Sequence, residues 1–560
     1  MTALLTDNLP LLAGAPNGIK KLRELILELA VRGKLVPQDP SDEPASQLLK
    51  RIAVEKARLV AEEKIKKQKP LVEIDQEDKP FDVPTNWEWV RIAAVGHDWG
   101  QKTPGQAFTY IDVGAIDNAA GIISTPQVIM ATDAPSRARK MVRPGTVIYS
   151  TIRPYLLNVA VIDEAYEQEP IASTAFAIIH PYLEMPARYF LYYLRSPVFV
   201  RYVESVQMGI AYPAINDGQF FSGLIPLPPV AEQHRIVAKV DELMALCDRL
   251  EAQQVDVERT HAQLVQALLD SLIQASDATD FAANWQSLAE HFQTLFTTEP
   301  SIDALKQTLL QLAVMGKLVP QDPSDEPADD LLVKIATEIA QLHSEGKIRK
   351  PKSIIPVSTE DAAFEAPQGW KWLRLSQITR QLGDGLHGTP IYNQDGEFHF
   401  VNGNNLKGGK IVIKPETKTV SETEYSKHKK PLDEQSLLVS INGTIGNVAF
   451  YNSEKIVLGK SACYLNLANG VSKHFVRLLI EAPGFMKYAL KSATGTTIKN
   501  LGLKAMNDYP IALPPLNEQH RIVAKVDQLM ALCDQLKNRL TQARQLNEQL
   551  ASTLVEQALA

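Results

Sequence analysis

The chain contains the same long segment twice. LPPVAEQHRIVAKVDELMALCDRL starts at Leu227 and LPPLNEQHRIVAKVDQLMALCDQL starts at Leu513, with 20 of 24 positions identical. AVRGKLVPQDPSDEPA from Ala30 likewise returns as AVMGKLVPQDPSDEPA from Ala313, with 15 of 16 positions identical. Because both blocks recur at nearly the same offset, the 560 residues form two copies of one structural unit.

Both copies have the same predicted elements in the same order. In the first copy an amphipathic helix is predicted over 22–31, and Gly33 follows it as a typical C-terminal glycine. A Pro- and Asp-rich turn leads to a charged helix predicted from Ala45 to about Lys67. A Trp-x-Trp strand then opens a mixed α/β domain, and a long helix closes the copy.

The closing helix of each copy has an apolar seam. The seam residues are spaced alternately four and three apart, which favours pairing with a second helix. A helix from Glu232 to about Ser276 would be about 65 Å long, which suits a strut. The seam residues, which we also expect to serve partner docking, are Ile236, Val240, Leu243, Cys247 and Leu250 in the first copy and Ile522, Val526, Leu529, Cys533 and Leu536 in the second.

The two α/β domains share a frame but differ in their middles. SPVFVRY from Ser196 matches APGFMKY from Ala482, and Gly209 pairs with Gly495, whereas the preceding segments are almost unrelated. Similar scaffolds with divergent faces indicate two different ligands of one chemical kind.

These residues resemble the specificity subunit of type I restriction-modification enzymes. The resemblance rests on the doubled LPP-x-x-EQ-x-RIV-x-K-V-D-x-L helix, the doubled GKLVPQDPSDEPA segment and the two variable domains, and it covers essentially the whole chain. It implies a DNA-recognition subunit whose two target recognition domains each read half of a split, asymmetric site. It also implies long helices in an antiparallel coiled coil that sets the spacer and docks methyltransferase subunits.

The expected fold is two α/β (α+β) target recognition domains joined by these helices, with pseudo-two-fold symmetry from the duplication. Such symmetry suits DNA half-sites, whose separation is set by protein geometry. The expected domains are an N-terminal helical segment (1–80), target recognition domain 1 (81–225), a central helical region (226–366), target recognition domain 2 (367–512) and a C-terminal helix (513–560).

The resemblance further implies partners that supply the chemistry. The expected partners are double-stranded DNA, two methyltransferase subunits and two restriction subunits. S-adenosylmethionine, and ATP with Mg²⁺ for restriction, would be bound by those partners, with no cofactor in this chain. The methyltransferase subunits would methylate flipped-out adenines at N6.

No catalytic signature is found in the sequence itself. GKS at Gly459–Ser461 is the tail of a phosphate-binding loop, but Glu454 stands where its first glycine is required. No GxGxxG joins a strand to a helix, and LPPV and LPPL lack the polar first and aromatic last residues of an adenine methyltransferase tetrad. His234 and His520 repeat at helix starts, which favours a surface role over a metal site. We therefore expect a subunit that is not an enzyme and binds no metal.

Hydropathy and cysteine content limit where the protein can be located. The sequence has no apolar run of 18 or more residues, so no membrane span is expected. The segment MTALLTDNLPLLAG lacks the basic flank of a secretory signal, so a cytoplasmic location is expected. Three cysteines make no disulfide framework.

Local charge is a better indicator of DNA binding than the net charge of −7. Residues 368–512 contain 18 Lys/Arg against 11 Asp/Glu, as a phosphate-binding domain requires. Residues 85–225 contain 10 against 12, although five basic residues fall together between Arg137 and Arg153.

Candidate DNA contacts are the polar side chains of predicted loops that can pair with base edges or phosphates. STIRPYLLN from Ser150 is the rough counterpart of SINGTIGN from Ser440, and GIAYPAIND is that of GTTIKNLGL. For the candidates on these loops a turn stabilised by Asn and Gly is the alternative, and for the basic run from Arg137 to Arg153 the alternative is a solvated charged loop. The candidates are Arg137, Arg139, Lys140, Arg143, Ser150, Thr151, Arg153, Tyr155, Tyr212 and Asn216 in the first domain, and Asn402, Asn404, Asn405, Lys407, Asn442, Thr444, Asn447, Lys460, Thr496, Lys499 and Asn500 in the second.

Two alternatives stay open at this point. A coiled-coil adaptor would join two proteins without touching DNA, and the basic second domain speaks against it. A cryptic nuclease or methyltransferase would need activity from this chain alone, which the missing motifs disfavour.

Overall fold

A computed structural model describes residues 9–68, 70–209, 211–276, 278–350 and 354–559. The chain divides into two compact units. Unit 1 comprises Met1–Val257 and Ala543–Ala560, and unit 2 comprises Glu258–Gln542. Each unit contains one copy of the duplicated sequence, so most elements of one unit have a counterpart in the other.

Two of the helices are much longer than the rest. The helices are α1 (Leu9–Gly14), α2 (Gly18–Val31), α3 (Ala45–Ala61), α4 (Ile92–Val95), α5 (Ala187–Arg195), α6 (Pro197–Val206), α7 (Asp217–Ser222), α8 (Val230–Gln274), α9 (Ala278–Glu290), α10 (Phe292–Leu295), α11 (Glu299–Val314), α12 (Ala328–Ser344), α13 (Glu422–His428), α14 (Lys473–Glu481), α15 (Pro483–Ser492), α16 (Leu503–Asp508) and α17 (Leu516–Leu559). Within the described ranges, none of these helices is long and apolar enough to cross a membrane.

The strands are short and fall into matching sets. In unit 1 they are β1 (Glu88–Arg91), β2 (Gly96–His97), β3 (Phe108–Ile111), β4 (Ile116–Asp117), β5 (Ile122–Ile123), β6 (Gln127–Ile129), β7 (Ala138–Met141), β8 (Val147–Ser150), β9 (Val159–Val161), β10 (Pro170–Ser173), β11 (Phe176–Pro181) and β12 (Leu224–Leu227). In unit 2 they are β13 (Lys371–Arg374), β14 (Thr379–Asp384), β15 (Phe398–Val401), β16 (Leu406–Lys407), β17 (Lys410–Ile411), β18 (Thr419–Val420), β19 (Ser436–Ser440), β20 (Val448–Phe450), β21 (Ile456–Leu458), β22 (Ala462–Leu467) and β23 (Pro510–Leu513).

The strand order is duplicated along with the sequence. Unit 1 has sheets of order β2-β11-β8-β9 and β6-β3-β10-β7, and unit 2 has β14-β22-β19-β20 and β18-β15-β21. The parallel pairs β3/β10 and β15/β21 also correspond. The sheets also differ, in that unit 1 has the edge strand β7 where the chain of unit 2 forms α13. The two similar α/β scaffolds predicted from the frame residues are therefore confirmed.

The seams of α8 and α17 lie in the cores of the units. In unit 1, the four seam residues from Ile236 to Cys247 are buried in one core with β8 and β11, and Leu250 packs at its edge. In unit 2, Ile522 and Val526 are buried in the main core. Cys533 is buried in a second cluster with α11, where Leu529 and Leu536 are partly buried.

The first turn of α8 is held by a set of contacts that we call the clasp. The Glu232 carboxylate accepts hydrogen bonds from Trp87 Nε1 at 2.8 Å and from Gln38 Nε2 at 2.6 Å. Arg235 pairs with Asp42 at 2.5 Å. Burial raises the pKa of Glu232, although its two hydrogen bonds oppose that shift. The QDPSDE segment and the EQ-x-R motif are thus partners within one unit.

Unit 2 has the same clasp. Glu518 accepts hydrogen bonds from Trp370 Nε1 at 3.0 Å and from Gln321 Nε2 at 3.2 Å, and Arg521 pairs with Asp325 at 2.6 Å. Burial raises the pKa of Glu518 as well. The two most similar sequence blocks therefore recur together because each clasp needs both of them.

Two predicted helix boundaries differ from the structure. Helix α2 begins at Gly18, four residues before the predicted start at Leu22. Helix α3 ends at Ala61 rather than near Lys67, because Glu63 adopts a left-handed conformation with φ of 57°. The long helix α8 was predicted to within two residues at each end.

Candidate nucleic-acid interface

In unit 1, two loops are joined by backbone hydrogen bonds beyond the carboxyl end of β8. Arg153 N donates to Pro213 O at 2.8 Å, and Ile215 N donates to Thr151 O at 2.9 Å. These contacts bring together the two segments of the first domain that sequence reasoning singled out. We call this surface loop pair 1, residues 151–157, 207–209 and 211–216.

In unit 2, the corresponding loops are joined in the same way beyond β19. Gly443 N donates to Lys499 O at 3.2 Å, and Leu501 N donates to Ile441 O at 2.8 Å. The rough pairing of the two sets of segments by sequence is therefore matched by their backbone hydrogen bonds. We call this surface loop pair 2, residues 441–447 and 493–501.

The exposed side chains of loop pair 1 are aromatic as well as basic. Arg153 has a left-handed backbone with φ of 49°, and its guanidinium carbon lies 5.0 Å from the centroid of the Tyr212 ring. Tyr212 is 70% exposed and Tyr155 is 51% exposed. Asn216 is exposed, but its side chain caps α7 by accepting from Gln219 N at 2.9 Å.

Two candidates of this loop are buried in its base. The Ser150 hydroxyl donates to Ile152 O at 2.9 Å, and the Thr151 hydroxyl donates to Ala175 O at 2.9 Å. Both side chains are less than a tenth exposed. They shape the turn that presents Arg153.

The basic run of unit 1 does not form one patch. Arg137 is exposed, and Arg139 is half-buried and donates to Ala138 O at 2.8 Å. Lys140 is 6% exposed and its ammonium pairs with Asp217 at 2.6 Å. The run is spread because β7 directs successive side chains to opposite faces of the sheet.

Arg143 lies near the start of β8, whereas loop pair 1 follows the end of that strand. Its guanidinium carbon is 4.0 Å from the centroid of the Trp99 ring. His180 hydrogen-bonds with Thr146 in the same region, with Nδ1 and Oγ1 3.0 Å apart. Burial, together with the nearby His97 and Arg143, lowers the pKa of His180 to about 4.

Loop pair 2 presents amides and a lysine instead of aromatic rings. Asn442 Nδ2 donates to Asn500 Oδ1 at 3.3 Å, which links the two loops through side chains. Gly443 and Gly446 have positive φ, of 76° and 91°, so the turn between β19 and β20 depends on glycine. The remaining candidates are Thr444, Thr496 and Lys499, which are exposed, and Asn447, which is half-buried.

The Asn402–Lys407 segment adjoins loop pair 2 through Ser461. Asn402 Oδ1 accepts from Ser461 Oγ at 3.0 Å, and Ser461 O accepts from Ile441 N at 2.9 Å. Asn405 is 5% exposed and its side chain donates to Val412 O, so it stabilises a turn. The exposed candidates of this region are Asn404, Lys407 and Lys460.

A further turn, GDGLHG at 383–388, lies beside these residues and was missed in the sequence. Gly385 N donates to Ala462 O at 3.1 Å, and Leu386 N donates to Leu458 O at 2.7 Å. His387 is exposed and hydrogen-bonds with the Asp384 carboxylate. Its three glycines flanking an Asp and a His were a signal that sequence reasoning could have used.

The described residues hold no cluster of three or more His, Cys, Asp or Glu side chains that could bind a metal ion. His234 and His520 are exposed on the first turns of α8 and α17. What each unit presents, then, is a clamped pair of loops with hydrogen-bonding and basic side chains.

Comparison with known families identifies the domains that carry these loops. The type I restriction modification DNA specificity domain matches residues 84–258 and again residues 367–544. The chain belongs to the type I restriction-modification specificity subunits. It is thus a DNA sequence-recognition subunit, and the adaptor alternative loses its support.

Individual relatives of the chain are specificity subunits of the same family. This specificity subunit is 38% identical to the type I restriction enzyme EcoAI specificity subunit of Escherichia coli, over 97% of this chain and 94% of the relative. It is 36% identical to the EcoEI specificity subunit of Escherichia coli over the same shares. A chain from a solved structure on the assembly and conformational transition of the type I R-M system shares the fold, with a TM-score of 0.52 and 23% identity over 86% of this chain and 99% of that one.

Proposed function

We propose that this specificity subunit reads a bipartite, asymmetric DNA site, one half through loop pair 1 and the other through loop pair 2. The supporting observation is that equivalent backbone hydrogen bonds clamp two loop pairs whose side chains differ. Arg153 occupies the position of Gly443, and Pro213 that of Lys499. Because base edges are read by side-chain donors and acceptors, equal frames with unequal side chains suit two different half-sites.

The chemistry would come from partner subunits. In this proposal the domains 81–225 and 367–512 are the target recognition domains, and α8 and α17 form the antiparallel coiled coil between them. The identical exposed residues on the two helix starts, such as His234 and His520, suit two copies of one methyltransferase subunit. Those subunits would bind S-adenosylmethionine and methylate adenine at N6, and restriction subunits with ATP and Mg²⁺ would join them. This chain would contribute recognition without an active site of its own.

Salt-dependent binding tests the proposed phosphate contact of loop pair 2. Lys499→Ala should lower the slope of log K against log salt by about one, since one phosphate contact is lost. Lys334→Ala is the matched control, because Lys334 is 64% exposed on α12, outside the α/β domain. Binding of a cognate duplex is measured with the chain in complex with its methyltransferase subunits. Equal slopes for both variants and the unchanged chain would rule out the proposed contact between Lys499 and a phosphate.

A further inference from the structure

Each late loop exposes a large apolar side chain at the same position of its turn, and the first loop also exposes Met208. Tyr212 is 70% exposed and Ile498 is 61% exposed. Their neighbours differ, with Ala-Tyr-Pro in one loop and Thr-Ile-Lys in the other. Single exposed apolar side chains are ordinary on protein surfaces, but here two unlike loops place one at the same position, which a ligand that covers it would explain.

The two turns that present these side chains begin with glycines of the same φ. Gly209 and Gly495 both have φ of 92°, a conformation that favours glycine. A Cβ atom at Gly209 would lie 2.8 Å from Tyr212 O, and one at Gly495 would collide with Ile498 O in the same way. With the hydrogen bonds that clamp each loop pair, these turns hold their tips before any ligand binds, which lowers the entropy cost of binding.

The surroundings of the tips indicate the ligand. Arg153 stacks on the Tyr212 ring, and Thr496 and Lys499 flank Ile498 as exposed hydrogen-bond donors. An apolar tip beside cations and donors suits duplex DNA, because the tip can enter between bases while the cations meet phosphates.

We propose that Tyr212 and Ile498 are wedges, one for each half-site, that insert between adjacent base pairs and unstack them. This inference rests on the proposed function and adds a second mode of reading to it. Unstacking costs less at pyrimidine–purine steps than elsewhere, so each wedge selects a deformable step without touching its base edges.

Fluorescence of 2-aminopurine, which rises on unstacking, tests the wedges in the complex with methyltransferase subunits. The probe is placed in turn at each position of a cognate duplex except the adenines that become methylated. We expect one wedge-dependent signal in each half-site. Tyr212→Ala should abolish one signal and Ile498→Ala the other, each with about tenfold weaker binding, the scale of base stacking on a side chain.

The controls separate insertion from folding and from charge. Tyr212→Phe and Ile498→Leu should keep both signals, since each retains an apolar tip. Val54→Ala and Val333→Ala remove apolar side chains of similar exposure, 72% and 67%, from α3 and α12 and should change nothing. The salt slope should stay constant in all variants because no charge is removed.

Two results would overturn the inference. One is cognate binding by the unchanged complex with no signal outside the methylated adenines. The other is an alanine variant with normal signals and normal affinity. Equal binding of cognate and scrambled duplexes by the unchanged complex would instead refute the proposed function, and the wedges with it.

Discussion

At the scale of single residues, His180 makes unit 1 sensitive to acid. Its folded pKa of about 4 lies below the ordinary value of 6.5, so the unfolded chain binds a proton that the folded unit excludes. Its stabilisation is therefore complete above the unfolded pKa and is lost as the pH falls from 6.5 toward 4. By pH 5 the loss is up to about 2 kcal/mol.

We predict that His180→Asn removes this part of the acid dependence. Asn466 holds the equivalent place in unit 2, because it lies opposite Gln381 in the strand pair β22/β14 as His180 lies opposite His97 in the strand pair β11/β2. Pulse proteolysis in urea, with unit 1 peptides identified by mass spectrometry, compares stability at pH 7 and pH 5. His343→Asn, an exposed histidine on α12, is the control. An unchanged difference between the two pH values in His180→Asn would contradict the assignment.

The role of individual loop residues was only partly predictable. Ser150, Thr151, Lys140 and Asn405 were candidates for DNA contact with a structural role as the alternative, and the structure buries their side chains in hydrogen bonds or an ion pair. Composition cannot separate these roles, because the same hydroxyl or amide serves either a backbone partner or a base edge. Arg153, Lys499 and Tyr212 are exposed on the clamped loops, and their contacts with DNA stay predictions.

At the scale of elements, the clasps connect the first turns of α8 and α17 to the segments after α2 and α11. We predict that Glu232→Ala loosens this connection in unit 1, because the buried Trp87 Nε1 loses its acceptor and Gln38 Nε2 keeps only Gly33 O. An unpaired buried donor costs about 1–3 kcal/mol. Hydrogen exchange should therefore accelerate in residues 34–45.

His234→Ala is the matched control for this change, since His234 is exposed on the same helical turn. Glu518→Ala should act in the same way on residues 317–328 of unit 2 and leave 34–45 protected. Exchange that is equally fast after the histidine and glutamate changes would argue against the clasp.

Element prediction succeeded where a pattern was long and repeated. The seam of α8 extends over many turns and two copies, so its period identified the helix and nearly its ends. The difference between β7 and α13 was not predicted, because it arises in the divergent middles where no repeat constrains the chain. The end of α3 was not predicted, because Glu63 has a left-handed backbone conformation that the residue type does not indicate.

At the scale of the whole molecule, the duplication implies that recognition is modular. We predict that exchanging residues 367–512 for the corresponding domain of another specificity subunit changes only one half of the target. The other half should persist because loop pair 1 is clamped entirely by hydrogen bonds within unit 1. Methylation of DNA by the assembled chimaera gives the result, and a change in both halves would show that the domains do not read independently.

The most direct test of the central claim is a methylation map of the unaltered protein. The chain is co-expressed with its methyltransferase subunit, and modified adenines are located across a genome by long-read sequencing. We expect one asymmetric motif, with two unlike specific clusters around a spacer of fixed length. A continuous or perfectly palindromic motif would contradict two different readers on a duplicated frame, and an assembled complex that methylates no defined sequence would contradict recognition itself.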